Sequence, residues 1–249
     1  MKTVIPQEGF YFDEAKHYYY LDGKKLSGVT TVLGVIAKPQ LIPWSAGVAV
    51  DYIDGFVKEV AVHADWDAML NDGTWDKITK EARTAYAKKR DDAASKGTDT
   101  HALIEDLIKE AISVDGYLTV SRPPENKQIG YFIDWAVMNQ VKFLCSEKKL
   151  HSRSMWLAGT ADFTCEIDGK RYVGDIKTGK AIYPTYFVQT AAYRAMLEES
   201  GEESYHGSVI VNLPKDDKPM EVKYRYDYET DKAAFLGALA IYKFNNTFV

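Results

Sequence analysis

Cysteine is nearly absent from this sequence of 249 residues, which contains only Cys145 and Cys165. Each lies in an apolar, strand-like run, and two thiols cannot by themselves hold an iron–sulfur cluster or a structural zinc ion. We therefore expect both cysteines to be reduced core residues, and we expect no iron–sulfur cofactor.

Long hydrophobic runs are also lacking. No stretch reaches the ~20 apolar residues that a membrane span requires. The first ten residues, MKTVIPQEGF, contain neither the apolar centre of a signal peptide nor an Arg-rich amphipathic presequence. We expect a soluble, cytoplasmic protein with no membrane partner.

An excess of positive charge is absent as well, since 31 Lys and Arg residues stand against 36 Asp and Glu residues, giving a net charge of −5. This balance argues against a protein that coats nucleic acid nonspecifically, but it permits a local basic groove. A long polar helix, predicted from about Thr74 to Ser95, carries Lys88, Lys89 and Arg90. These residues either face solvent or bind a phosphate backbone.

The most informative stretch that is present runs from Gly159 to Tyr193. Its Asp168-Gly169 pair, between runs rich in β-branched and aromatic residues, predicts a hairpin with a two-residue type I′ turn. With that turn, Asp162 lies directly across from Asp175, and Thr160 lies across from Lys177. Because side chains alternate along a strand, Asp162, Asp175 and Lys177 share a mostly polar face, whereas the other face is apolar and packs on the core.

Two directly opposed aspartates normally destabilise a sheet, because their Cβ atoms lie roughly 5 Å apart. At an effective dielectric constant of ~20, the two charges repel by about 3 kcal/mol. A bound Mg²⁺ or Mn²⁺ ion would offset this repulsion, since these cations prefer carboxylate oxygens. Two carboxylates, a divalent cation and Lys177 together suit phosphodiester cleavage.

The other segments are predicted as follows. An aromatic hairpin precedes a short helix that Ser27 or Thr30 begins, and a helix covers residues 44–60. Lys96-Gly97-Thr98 predicts a stop and a new helix with Thr98 as its N-cap. His101 and Glu105 then share one helical face, where His101 is either a partly buried polar residue or a functional one. Strands follow from Val141, and a helix that begins at Pro184 carries Gln189 and Tyr193 on one face.

One motif is weighed as an alternative. Residues 174–180 match most of a phosphate-binding P-loop, but Ala181 stands where the motif requires Ser or Thr. The delay of the next helix to Pro184 also disagrees with a P-loop. We therefore expect no nucleotide cofactor and disfavour an NTPase.

Asp162, then Asp175-Ile176-Lys177, then Gln189-x-x-x-Tyr193 resemble the PD-(D/E)XK nuclease superfamily in its RecB-type exonuclease branch. Gly97-Thr98-x-x-His101 is similar to the upstream His motif of that branch, and Glu147 matches its acidic residue before Gly-x-x-Asp. Residues 26–33, with Trp44, look like the N-terminal motif of the mitochondrial genome maintenance exonucleases and their phage relatives. Gly28 is a departure, inserted where those relatives run Ser directly into Val-Thr.

The resemblance implies an α/β (α+β) fold, a restriction-endonuclease-like mixed sheet flanked by helices with an N-terminal helical cap. It implies a single nuclease domain over 1–249, in which 1–140 supply the hairpin and the cap and 141–249 supply the α/β catalytic core. A bacterial or phage origin would follow.

The resemblance also implies a role for each matching residue. Asp162, Asp175, the carbonyl of Ile176 and His101 would bind Mg²⁺ or Mn²⁺. Lys177 would act on the water or the phosphate, Glu147 would support the site, and Gln189 and Tyr193 would contact substrate or brace the site. Apart from the resemblance, the basic residues Lys88, Lys89, Arg90 and Lys180 are predicted to contact nucleic acid.

The implied activity is that of a metal-dependent DNA exonuclease acting on single-stranded ends, with phage or host recombination or replication proteins as further partners. The alternatives are a noncatalytic or structure-specific nucleic-acid-binding module of the same fold and, next, an endonuclease. The presence of Asp162, Asp175 and Lys177 together argues against a noncatalytic module.

Overall fold

The computed structural model describes residues 8–60, 63–119, 126–215 and 218–248. The strands are β1 (Phe10–Asp13), β2 (Tyr18–Leu21), β3 (Lys24–Lys25), β4 (Ser27–Gly28), β5 (Lys142–Ser152), β6 (Leu157–Ile167), β7 (Lys170–Lys177), β8 (Gly207–Asn212) and β9 (Glu221–Arg225). The helices are α1 (Val29–Leu33), α2 (Leu41–Val60), α3 (Trp66–Asn71), α4 (Thr74–Val114), α5 (Lys127–Met138), α6 (Pro184–Glu199) and α7 (Tyr228–Asn245), and a 3₁₀ turn spans Asn246–Phe248.

The chain divides into two compact units. The first combines 1–36 with 99–249 and contains all the strands of the described residues, together with α1, the last part of α4, and α5 to α7. The second unit, 37–98, contains α2, α3 and the first part of α4. The helical cap predicted from the sequence stays a prediction.

The main sheet has six strands in the order β4-β6-β7-β8-β9, with β5 paired to the other edge of β6. The β4–β6 and β7–β8 pairs are parallel, and the β5–β6, β6–β7 and β8–β9 pairs are antiparallel. The fold is therefore the predicted α+β arrangement, a mixed sheet flanked by helices.

Helices cover both faces of this sheet. On one face Phe163 and Ile176 pack with Phe132 of α5. On the other, Val173 packs with α6 and α7 through residues such as Met196 and Phe235. The prediction of a mostly polar face was therefore wrong for the middle of the hairpin, because a strand flanked on both faces buries its side chains on both.

The predicted hairpin of β6 and β7 is confirmed around its turn. Five pairs, from Ile167 with Lys170 to Phe163 with Gly174, have the expected register. Asp168 and Gly169 both have positive φ, 51° and 69°, as a type I′ turn requires. The paired ladder ends at Phe163, so the expected ladder pair of Asp162 with Asp175 is not formed.

Helices α4 and α1 depart from their predicted boundaries. Helix α4 runs for 41 residues through Lys96-Gly97-Thr98, because one internal glycine costs a helix only about 1 kcal/mol. Helix α1 has Gly28 as its N-cap, since Ser27 and Gly28 belong to β4. Pro184, by contrast, begins α6 as predicted.

The two cysteines are free thiols, as expected, but only Cys165 is a fully buried core residue, whereas Cys145 is half-buried. Burial raises the pKa of the Cys165 thiol, which keeps it protonated. Of the helices in the described ranges, none combines the length and the apolar character needed to cross a bilayer.

Candidate active site at an opening between two strands

The site lies where one edge of β6 loses its strand partner. On that edge β4 pairs with Leu157 and Ala158, and β7 pairs only from Phe163 onward. Residues 159–162 therefore have no ladder partner on this edge within the described chain. Strand β7 instead follows β8 in parallel as far as Lys177. The result is an opening between β6 and β7 at the level of Asp162.

The backbone of Ile176 joins two of the predicted ligands across this opening. Its N–H donates to Asp162 Oδ2 at 2.8 Å. Its carbonyl oxygen lies 2.8 Å from His101 Nε2, and because a carbonyl can only accept, Nε2 carries the proton. The same Nε2 lies 3.6 Å from Asp162 Oδ2. His101 therefore reaches the site from α4, across 75 positions of sequence.

Asp175, the residue before Ile176 in β7, is fully buried. Lys177 Nζ lies 2.5 Å from Asp175 Oδ2, yet neither carboxylate oxygen accepts a hydrogen bond of ordinary geometry from the described residues. Burial raises the pKa of Asp175, while Lys177 opposes the rise. Burial alone would lower the pKa of Lys177, but Asp175 and Asp162 outweigh it and raise that pKa, so Lys177 is charged.

Glu147 of β5 reaches the opening from the paired edge of β6. The pairs Ser146 with Phe163 and Lys148 with Ala161 place Glu147 opposite Asp162. Its φ is +48°, a left-handed conformation that is rare inside a strand. Burial first, and then the charges of Asp162 and Glu105, raise the pKa of Glu147 to about 7. The carboxyl group is thus partly protonated at neutral pH.

Gln189 and Tyr193 of α6 brace the same place. Gln189 Nε2 donates to the Tyr193 hydroxyl at 2.9 Å, and both side chains are buried. A Cβ atom at Gly159 would lie 2.7 Å from Tyr193 Cε1, so only glycine admits the ring there. This contact gives the glycine of Gly159-x-x-Asp162 a physical reason. Burial raises the pKa of the Tyr193 phenol well above its ordinary value, so it stays neutral.

A cavity of about 650 Å³ opens beside Asp162. Its walls include Glu147, Gln189 and Tyr193, together with aromatic side chains of the N-terminal hairpin that the sequence reasoning did not assign to the site. Tyr19 is the clearest of these, since its hydroxyl lies 2.7 Å from Thr160 Oγ1 across 141 positions of sequence. No local pattern could have indicated such a distant contact.

The predicted nucleic-acid-binding residues lie elsewhere. Lys88, Lys89 and Arg90 are exposed on the part of α4 that belongs to the second unit. Arg90 pairs there with Asp91 at 2.8 Å. Lys180 is exposed in the loop between β7 and α6 of the first unit. Their role stays a prediction.

The P-loop alternative has no structural basis. Residues 174–177 form the end of β7, and the next helix begins only at Pro184. A P-loop requires a phosphate-cradling loop that leads directly into a helix.

Among the described residues, no three His, Cys, Asp or Glu side chains converge closely enough to hold a metal ion. Other partners occupy the expected ligands: the Ile176 backbone binds Asp162 and His101, and Lys177 pairs with Asp175. The assignment of these residues as ligands therefore stays a prediction.

Comparisons with known proteins supply no identity. No family model matches the chain, and no curated protein matches it. Among solved structures, one titled "Crystal structure of SSO0001" matches with 14% sequence identity and a TM-score of 0.28, over 46% of this chain and 58% of that chain. A likeness this weak carries no argument about fold or function.

Proposed function

We propose that this protein is a metal-dependent DNA exonuclease that hydrolyses phosphodiester bonds from single-stranded ends. The observation that carries the proposal is the gathering of His101, Asp162, Asp175 and Lys177 around the Ile176 peptide. The choice of Asp162, Asp175 and Lys177 for phosphodiester chemistry comes from the sequence pattern, and that of His101 comes from the family resemblance. Their meeting at an opening in the sheet supports that choice.

The donors suit a hard divalent cation by their chemistry rather than by their present spacing. Asp175 presents two buried carboxylate oxygens that lack ordinary hydrogen bonds within the described residues, and such oxygens are the ligands that Mg²⁺ and Mn²⁺ prefer. Asp162, the Ile176 carbonyl and His101 would complete the set. His101 Nε2 now donates to the Ile176 carbonyl, so to bind a cation it must give up that proton.

The residues of the chain divide the work of hydrolysis among them. A cation held there would supply Lewis-acid chemistry, which polarises a phosphate and makes a water more acidic. Lys177 neutralises the negative charge that develops on the phosphate oxygens. The Ile176 N–H holds Asp162 in one orientation, and Gln189 with Tyr193 supports the adjoining wall. Exposed Lys180, with Lys88, Lys89 and Arg90, would contact backbone phosphates.

Digestion of matched substrates tests the proposal. Purified protein is incubated with end-labelled linear single strands, closed circular single strands and blunt duplexes, each with Mg²⁺, with Mn²⁺ and with EDTA. We expect the linear strands to be shortened from an end with either cation, the circles to persist, and EDTA to stop the reaction.

Other outcomes identify the alternatives. Cutting of circles would indicate an endonuclease, and binding of DNA without cleavage under every cation would indicate a noncatalytic module. Asp162→Asn is the matched negative control, because it keeps the shape of the side chain while it removes the charge that the cation would bind. Thermal unfolding with and without Mn²⁺ gives a readout of cation binding that is independent of cleavage.

A further inference from the structure

The cavity beside Asp162 has more carboxylates than cations. Its lining contains four carboxylates, those of Glu14, Glu105, Glu147 and Asp162, and two lysines, Lys109 and Lys149. Each lysine is already engaged, Lys109 with Glu105 and Lys149 with Glu14 at 2.8 Å. A phosphate group would therefore meet net repulsion in this cavity. The chemistry favours a neutral occupant with hydrogen-bond donors.

The wall that the N-terminal hairpin supplies is aromatic. The ring of Phe12 lies 4.6 Å from that of Tyr19 and 5.1 Å from that of His17, measured between centroids. The Tyr19 hydroxyl is fixed by Thr160, which holds this wall against β6. His17 is exposed, has a left-handed backbone with φ of 58°, and also lines the cavity. Unpaired nucleobases stack on such side chains.

We propose that this cavity receives the unpaired nucleoside at the end of a DNA strand, with its base stacked on the hairpin's aromatic wall and its neighbouring phosphate outside the cavity, towards Lys177, which does not line it. The volume of about 650 Å³ falls within the range of small-molecule pockets, which suits one nucleoside rather than a duplex. Carboxylates accept hydrogen bonds from the amino groups of bases and from sugar hydroxyls, so Glu147 and Glu105 suit this occupant. The inference rests on the proposed exonuclease function and names the substrate end that the site holds.

A fluorescent base at the strand end tests the proposal. Single strands carrying 2-aminopurine either at a terminus or at an internal position are bound to the protein with Ca²⁺ in place of Mg²⁺. Stacking of the terminal base should quench its fluorescence, whereas the internal probe should change little. Unchanged fluorescence of a bound terminal probe, at both the 3′ and the 5′ end, would overturn the proposal.

His17→Asn is the test variant, because asparagine tolerates the left-handed backbone at this position but removes the aromatic ring. We expect it to weaken binding of a terminal 2-aminopurine strand about tenfold and to raise KM for digestion while kcat changes little. Tyr18→Ala is the matched control, since Tyr18 is exposed on the same hairpin but does not line this cavity. Equal losses in both variants would indicate a structural effect and overturn the stacking role.

A strand with an abasic terminal residue completes the experiment. If His17 stacks on the base, removal of the base and removal of the ring should not be additive, so His17→Asn should have little effect on the abasic strand. Digestion of linear strands without terminal quenching would overturn this inference and leave the exonuclease function standing. Failure to bind or cut DNA with any cation would overturn both.

Discussion

The two halves of the β6–β7 hairpin differ sharply. Near the turn, five residue pairs follow the regular ladder. Beyond Phe163 and Gly174 the ladder ends. There the Ile176 N–H donates a hydrogen bond to the Asp162 carboxylate instead of to a backbone carbonyl. Regular backbone pairing thus ends where the candidate site residues begin.

We call the paired residues 163–174 the closed half of the hairpin, and residues 159–162 with 175–177 the open half. One contact accounts for the last pair of the closed half. A Cβ atom at Gly174 would lie 2.1 Å from the ring of Phe163, so the ring occupies the space above the glycine. Distant elements shape the open half instead, because β7 follows β8 there and α4 brings His101 to the Ile176 carbonyl.

The open half also resolves the repulsion expected between Asp162 and Asp175. Lys177 stands beside Asp175, and the Ile176 N–H donates to Asp162. The protein itself therefore offsets much of the ~3 kcal/mol that a close aspartate pair would cost. The proposed chemistry, rather than this repulsion, is therefore the reason to expect a cation.

The largest expected effect separates the two halves by activity. Asp175→Asn, in the open half, should reduce DNA hydrolysis about 1000-fold, because it removes a carboxylate proposed to hold the cation. Asp168→Asn, at the turn, is the matched control and should retain full activity, since asparagine also tolerates positive φ. Initial rates on linear single strands measure both variants. Comparable activity of the two would contradict the assignment of the open half as the active site.

The second prediction concerns the contact of Gly174 with Phe163 at the end of the closed half. Gly174→Ala should lower the free energy of unfolding by about 3 kcal/mol, because its methyl group would overlap the Phe163 ring. Gly169→Ala, at the turn with φ of 69°, should cost only about 1 kcal/mol. Urea denaturation measures both changes.

A smaller side chain at Phe163 tests whether this overlap causes the loss of stability. Adding Phe163→Leu to Gly174→Ala should recover part of the loss, so that the two changes are not additive. Additive losses would show that the ring and the glycine do not interact.

The contrast between the two halves also explains which parts of the structure could be predicted from the sequence. The Asp168-Gly169 turn and its five pairs follow from local rules of turn chemistry and alternation, and they were predicted correctly. The end of the ladder was not, because it depends on β4, β8 and α4, which are distant in sequence. The stop expected at Lys96-Gly97-Thr98 failed for a related reason, since one glycine is too weak to end a helix of 41 residues.

The site residues show the same division. The sequence selected Asp162, Asp175, Lys177 and His101, and the structure brings them together. The sequence could not indicate Tyr19 or His17, because their hairpin reaches the site through long-range contacts such as that of Tyr19 with Thr160. Spacing in sequence carries no information about such a contact.

The third prediction concerns pH and the charges that face the opening. Burial and neighbouring carboxylates raise the pKa of Glu147 from 4.5 to about 7 in the folded protein. A raised pKa contributes stability below pH 4.5 that is lost as pH rises to about 7. Glu147→Gln should therefore unfold less readily than the unaltered protein above pH 7, by about 1–2 kcal/mol, a value reduced for partial exposure.

Unfolding by urea across this pH range, in EDTA, checks the third prediction. The difference between the two proteins should vanish below pH 4.5. Glu110→Gln, an exposed glutamate of α4, is the control and should show no such trend. A constant difference at every pH would mean that the substitution acts through packing rather than through charge.

The smallest expected effect concerns the Tyr193 hydroxyl, beside the open half. Tyr193→Phe removes the hydroxyl that accepts from Gln189 Nε2 at 2.9 Å and leaves a buried amide without that partner, so it should cost about 1 kcal/mol of unfolding free energy. The ring that rests on Gly159 is kept, so the opening should keep its shape and DNA hydrolysis should fall only a few-fold. Tyr183→Phe is the matched control, because Tyr183 is exposed and its hydroxyl can bond to water. A loss of hydrolysis as large as that of Asp175→Asn, with stability unchanged, would instead place the Tyr193 hydroxyl among the groups that act on the substrate.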